Sequence, residues 1–225
     1  MRAAGLRSEF WLERWRSGQI GWHQVDVNRW LAKHWPALGL ESDCPVFVPL
    51  CGKSLDMAWL RALGHRVIGV ELAEVAVRSF FEEAGTPFKV FNTPGDMPRF
   101  SSGGIHIYCG DYLELSAAHL EAAPGAFDRG ALVALPAEQR AVYADHVQRI
   151  LPVGAQVLLI TLDYDQERAP GPPFAVSEAE VQALYGTRCR IRQLDSSRTG
   201  ELPPHFLECG IEAAEEGIYL VTKLD

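Results

Sequence analysis

From residue 45 onward, short apolar runs alternate with stretches of helical spacing. Val46–Val48 reads as a buried strand. Ser54 can then cap a helix from Leu55 to about Leu63, with Asp56 in its first turn and Gly64 at the residue past its end. Arg66–Val70 is a second strand, and Ala73 to about Ala84 a second helix closed by Gly85. Phe88–Phe91 and Ile105–Tyr108 read as strands either side of a Pro/Gly/Ser-rich connection at 93–104. Ala126-Phe127-Asp128 opens a further unit, in which Pro136 takes the first position of a helix to about Leu151. Val157–Leu162 is the most apolar strand, and Ser177 with Glu180 forms a capping box for a helix to about Tyr185. Arg188–Leu194 and Ile218–Thr222 complete the chain as strands with no clear helix between them.

Alternating strands and helices predict a Rossmann-like α/β fold with a doubly wound, mostly parallel sheet. Two final strands without a crossover helix predict an antiparallel C-terminal edge. Ahead of the sheet, residues 8–35 read as helical, interrupted at Gly18–Gly21 and stopped by Pro36. This gives a helical N-terminal cap over residues 1–40, within a single domain spanning 1–225. Four of the six tryptophans lie between residues 11 and 30. They can serve as core packing or as an aromatic lid over a flat ligand.

Composition narrows the function. With 48% hydrophobic residues and a net charge of −8, the chain has neither the basic stretch that nucleic acid requires nor an apolar run long enough to span a membrane. The first residues carry no apolar signal segment, so a cytoplasmic protein is expected. The five cysteines, without a CxxC, and seven scattered histidines predict neither a disulfide framework nor a metal site. A small-molecule partner and a monomeric chain are the expectation.

Candidate chemistry gathers at predicted strand ends. Val48-Pro49-Leu50-Cys51-Gly52-Lys53-Ser54 follows the first strand, and Glu71 follows the second, 19 residues past Gly52. That spacing belongs to nucleotide-binding βαβ units, in which the acid takes ribose hydroxyls. Gly-Lys-Ser invites a phosphate loop, but Phe47 stands where its first glycine belongs and Pro49 removes a backbone donor. A dinucleotide fingerprint needs two more glycines than Gly52 supplies. A ribose-bearing ligand without phosphate fits better, and S-adenosylmethionine is the common example. Asp111 and Tyr112 can receive an adenine ring, or simply make a turn. Arg129 can pair with a carboxylate or polarise a heterocyclic substrate, or form a structural pair with an aspartate. An NAD-linked oxidoreductase and a non-catalytic cofactor-binding module stay open as alternatives.

Several stretches together resemble the thiopurine S-methyltransferase family. They are Phe10–Trp15, Gly18–His23, Val48–Ser54, Gly69-Val70-Glu71 and Asp128–Leu132, within a match of roughly residues 9 to 224. The resemblance implies a methyltransferase using S-adenosylmethionine. By it, Trp15, Leu50, Glu71 and Arg129 contact the cofactor, Asp111 and Tyr112 lie near its adenine, and the N-terminal segment with Trp22 and His23 closes over the substrate. The acceptor it implies is a thiopurine or similar aromatic or heterocyclic thiol, with selenium and tellurium compounds as further nucleophiles. One position departs from the family: His205 stands where an arginine facing the substrate is common.

Overall fold

The computed structural model describes residues 2–225, with side chains from Ser8 onward. A nine-stranded sheet runs through it in the order β3-β4-β5-β2-β1-β6-β7-β9-β8. The central strands β5 (Ile105–Cys109), β2 (Arg66–Glu71), β1 (Pro45–Val48), β6 (Gly125–Arg129) and β7 (Gln156–Asp163) are parallel. Both faces of these strands are buried, which is why they read as unbroken apolar runs rather than alternating ones. Val46, Val48 and Phe127 point to one face, and Phe47, Ile68 and Ala126 to the other. The first face is covered by α2 (Arg29–His34), α3 (Leu55–Ala62) and α4 (Glu74–Glu83), through Leu31, Met57, Leu60 and Phe81. The second is covered by α5 (Ala137–Ile150) and α6 (Glu178–Tyr185), through Tyr143, Val147 and Val181.

The chain builds outward from β1 through β2 to β5, then returns to β6 on the other side of β1. The strand order therefore reverses between β1 and β6. In open α/β sheets this leaves a crevice at the carboxyl ends of those strands. Beside it lie α1 (Arg2–Arg16) and the turn through Gly18. By contrast α2, whose N-cap Asn28 accepts from the N–H groups of Trp30 and Leu31, packs on the sheet face, so the part of residues 1–40 that borders the crevice ends at His23. Pro36 ends α2 as expected, by opening a short 3-10 turn over Trp35–Leu38.

Several expectations need correction. The C-terminal edge is antiparallel as predicted, with β9 (Ala214–Lys223) between β7 and β8 (Cys189–Thr199), but both strands are longer than expected and the short α7 (Pro204–Glu208) joins them. The opposite edge is antiparallel as well. Within the 93–104 connection lies β4 (Arg99–Ser102), which pairs with both β3 (Lys89–Phe91) and β5. Its period-two signal is a single buried residue, Phe100, so nothing in the pattern rises above turn composition. The missed cue was Gly103-Gly104, both at positive φ, which is two-residue hairpin chemistry. Pro136 is the N-cap of α5 rather than its first residue. Ser177 accepts from the Glu180 N–H as predicted, but the Glu180 carboxylate leaves the box to pair with the buried Arg140 guanidinium.

Gly104 has φ +90, and a Cβ there would stand 2.7 Å from Arg61 Nε. Gly104→Ala is expected to lower stability by about 1–2 kcal/mol. A urea midpoint that does not move would remove the hairpin from the elements the fold requires.

Candidate functional site

The turn after β1 is built from two left-handed residues, Leu50 at φ 44 and Gly52 at φ 53. For leucine that conformation costs about 1–2 kcal/mol. Its surroundings hold it there: Cys51 N–H donates to Val70 O at 2.9 Å and Ser54 N–H to Cys51 O at 3.1 Å. Glycine is required at 52 for a second reason, since a Cβ would meet the Trp15 ring at 3.0 Å. The Gly52 N–H donates to Glu71 Oε2 at 3.0 Å, and the Ala73 N–H to Glu71 Oε1 at 2.8 Å. Glu71 is 7% exposed. Burial pushes its carboxyl up to about 6, against the pull of those two donors. Each carboxylate oxygen keeps acceptor capacity for one more hydroxyl.

Lys53 answers the Gly-Lys-Ser question. Its ammonium is held by both Glu83 oxygens, at 2.6 and 2.9 Å, so it does not serve a phosphate cradle.

Arg129 ends β6 at the other side of the crevice. Its Nη1 donates to Trp22 O at 3.0 Å, and no carboxylate pairs with it among the described residues. Burial lowers its pKa, with Asp56 and then Glu216 opposing. The structural Arg–Asp pairing does not form, because Asp128 is otherwise engaged. Tyr143 OH donates to Asp128 Oδ2 at 2.6 Å and Leu132 N–H to Oδ1 at 3.2 Å. Burial pushes the Asp128 carboxyl up to about 6.

Asp111 makes the turn: its Oδ1 accepts from Leu113 N–H at 3.0 Å, capping a 3-10 helix that starts at Tyr112. The Tyr112 ring rests edge-on against Tyr143 and His146, and burial pushes its hydroxyl up to about 12. Trp22 meets Trp11 and Trp15 edge to face, at 5.2 and 5.7 Å. Burial lowers the pKa of His23, and the Lys53 charge lowers it further. His205 opens α7 with its ring edge-on to Phe206, which is fully buried beside Tyr164.

One cleft of ≈ 690 Å³ takes in all of them: Trp15, Trp22, His23, Leu50, Gly52, Glu71, Asp111, Tyr112, Arg129 and His205. The loop after β7 adds Pro172 and Pro173 to its wall. Val133, Gln139 and Val142, which the sequence did not single out, also line it, as does Gln19 of the Gly18–His23 stretch. Val133, Gln139 and Val142 had a signal, since they follow Arg129 on the elements that leave the same strand tip.

The fold is that of class I S-adenosylmethionine-dependent methyltransferases. Among solved structures, the 1,6-didemethyltoxoflavin-N1-methyltransferase of Burkholderia thailandensis, determined with 1,6-didemethyltoxoflavin and S-adenosylhomocysteine bound, shares the fold. Its TM-score is 0.68 at 17% identity, covering 100% of this chain and 90% of that one. The sequence then fixes the branch. The profile described as thiopurine S-methyltransferase matches residues 6–224. Thiopurine S-methyltransferase of Nitrosospira multiformis is 46% identical over 217 residues, covering 96% of this chain and 98% of that protein. The Bordetella petrii protein of the same name is 48% identical over 218 residues, covering 97% and 99%. The chain belongs to the thiopurine S-methyltransferase family. That membership removes the grounds for the NAD-linked and non-catalytic alternatives.

Cofactor binding should depend on pH through Glu71. Ribose hydroxyls are accepted by the carboxylate and not by its protonated form, so affinity for S-adenosylhomocysteine should be full above about pH 6 and fall about tenfold per unit below it. In the ligand-free protein the sign is reversed. A pKa raised from 4.5 to about 6 contributes stability that is present below 4.5 and lost as pH rises through 6. Calorimetric titration from pH 5 to 8 checks the first statement, and a flat profile refutes it.

Proposed function

We propose that this chain transfers the methyl group of S-adenosylmethionine to the sulfur of a thiopurine or similar aromatic or heterocyclic thiol. One observation carries the assignment of roles: a buried acid beside a single-glycine turn and a half-buried arginine without a carboxylate partner share one cleft beneath three tryptophans. The cleft fits the cofactor by its donor set. Glu71 has acceptor capacity for two hydroxyls, while the Gly52 N–H is given to Glu71 and the Lys53 ammonium to Glu83 rather than to a phosphate. Bound there, S-adenosylmethionine supplies an electrophilic sulfonium methyl.

In this reading Glu71 accepts the ribose hydroxyls, Trp15 and Leu50 pack on the cofactor, and Gly52 lets it approach the backbone. Tyr112 offers a flat neighbour to adenine, and the uncommitted oxygen of Asp111 accepts its amino group. Arg129 orients the acceptor and stabilises its thiolate character, and also faces the cofactor. Trp22, His23 and His205 wall the acceptor. No general base is needed, because a heterocyclic thiol is acidic enough to lose its proton to solvent before it attacks. Catalysis is then alignment and exclusion of water. Selenium and tellurium nucleophiles are softer still and fit the same scheme. Among the described residues no helix is long and apolar enough to cross a membrane. The reading is of a single-domain, cytoplasmic monomer with no nucleic-acid partner.

Glu71→Ala should weaken S-adenosylhomocysteine binding by about 1–3 kcal/mol. Unchanged affinity would take Glu71 out of the site. The function itself is tested by a radiolabelled methyl-transfer panel across thiopurines, aryl thiols, selenium and tellurium compounds. Transfer to sulfur is expected. Cofactor binding with no transfer to any acceptor would overturn the assignment.

A further inference from the structure

We infer that Asp56 is a positioning residue: its carboxylate ties the cofactor turn to the root of the cap and thereby fixes Trp22 and His23 against Arg129. The inference rests on the reading of Trp22 and His23 as the acceptor's wall.

An acid in the first turn of a helix is ordinarily a solvated complement to the helix dipole. Asp56 is instead 2% exposed. Its Oδ1 accepts the backbone N–H of Asn28 at 2.8 Å, and its Oδ2 accepts the Ser54 hydroxyl at 2.7 Å. Neither contact is needed to start α3, which Ser54 caps through the Asp56 N–H. Asn28 carries the connection onward. Its side-chain oxygen caps α2, and its amide donates to Gln24 Oε1 at 3.1 Å, one residue beyond His23. A continuous chain of hydrogen bonds thus leads from the Gly52 turn through Ser54, Asp56 and Asn28 to Gln24. At the other end of this segment, Trp22 O is held by Arg129 Nη1.

The rest of the cap is anchored elsewhere. Glu216 accepts from Arg29 and from Trp30 Nε1, and Asp195 holds Lys33 and His34. Those contacts fasten α2 to β9 and β8, away from the crevice. On the cleft side this segment is held by Asp56 at one end and by Arg129 at the other. Asp56 also bears electrostatically on the Arg129 guanidinium without pairing with it.

Asp56→Asn keeps the volume and one acceptor oxygen while removing the charge. Val221→Ala, in β9 at 1% exposure, serves as a destabilised control remote from the cap. For Asp56→Asn the expected result is S-adenosylhomocysteine affinity within about threefold of the parent, a KM for a thiopurine raised about tenfold, and faster amide exchange over residues 22–28. Val221→Ala should lower the melting temperature and leave that KM in place. An unchanged KM in Asp56→Asn overturns the inference, as does an equal loss of cofactor affinity or an equal KM change in Val221→Ala. Should Asp56→Asn not fold, Ser54→Ala removes one of the two donors and is expected to raise the same KM about threefold. No change there overturns the inference too. Trp22→Ala separates this question from the one beneath it. If its KM is unaffected, the acceptor wall itself is wrongly assigned. If its KM rises while that of Asp56→Asn does not, only the role of Asp56 falls.

Discussion

The contact on which the site depends is the Gly52 N–H pointing at the Glu71 carboxylate across the tips of β1 and β2. It requires a turn in which Leu50 and Gly52 both adopt left-handed backbone. It also requires a carboxylate withdrawn from water, with a pKa raised accordingly. Both conditions oppose folding. The apolar strands beneath offset them: fully burying a side chain such as Phe47 or Ile68 contributes about 1.5–3 kcal/mol, and many such residues lie under the turn. The turn is thus held in place by the sheet rather than by its own preferences.

The same logic extends to Arg129. A half-buried guanidinium without an ion-pair partner is costly, and it persists because neighbouring groups supply partial compensation. Trp22 O accepts one of its N–H groups, while Asp56 and Glu216 bear on it from further off. Asp128, the acid beside it in sequence, is occupied by Tyr143 and Leu132. The division of labour between two adjacent residues explains how one strand tip can be rigid and still present an uncommitted charge to the cleft.

How much of this could be read from the chain depended on whether a signal was local. Val46–Val48, Arg66–Val70 and Val157–Leu162 announced themselves because parallel strands buried on both faces leave unbroken apolar runs. Glu71 and Arg129 were legible because strand ends in an α/β sheet converge on one crevice wherever the chain reverses order. Strand β4 was not, since Phe100 is its only buried residue. The Glu180 carboxylate was misassigned because a capping box is a local pattern and Arg140 is a tertiary competitor. Asp56 looked like an ordinary first-turn acid for the same reason, its partner Asn28 lying 28 residues earlier in the chain.

His205 shows where local and tertiary information meet. Its ring is fixed edge-on to the buried Phe206 at the start of α7. An imidazole so held reaches less far into the cleft than the longer arginine side chain that the family resemblance led one to expect there. Arg129, on the opposite side of the crevice, is half-buried and carries the cationic guanidinium. Charged side chains line this cleft on several sides, among them Arg14, Lys53, Glu71 and Asp111 besides Arg129, while the α7 side is short, aromatic and flanked by Pro203 and Pro204. In the proposed reaction the flat walls of Trp22, Pro172 and Pro173 limit how an acceptor can turn, so their shape bears on which thiols present sulfur in line with the methyl group.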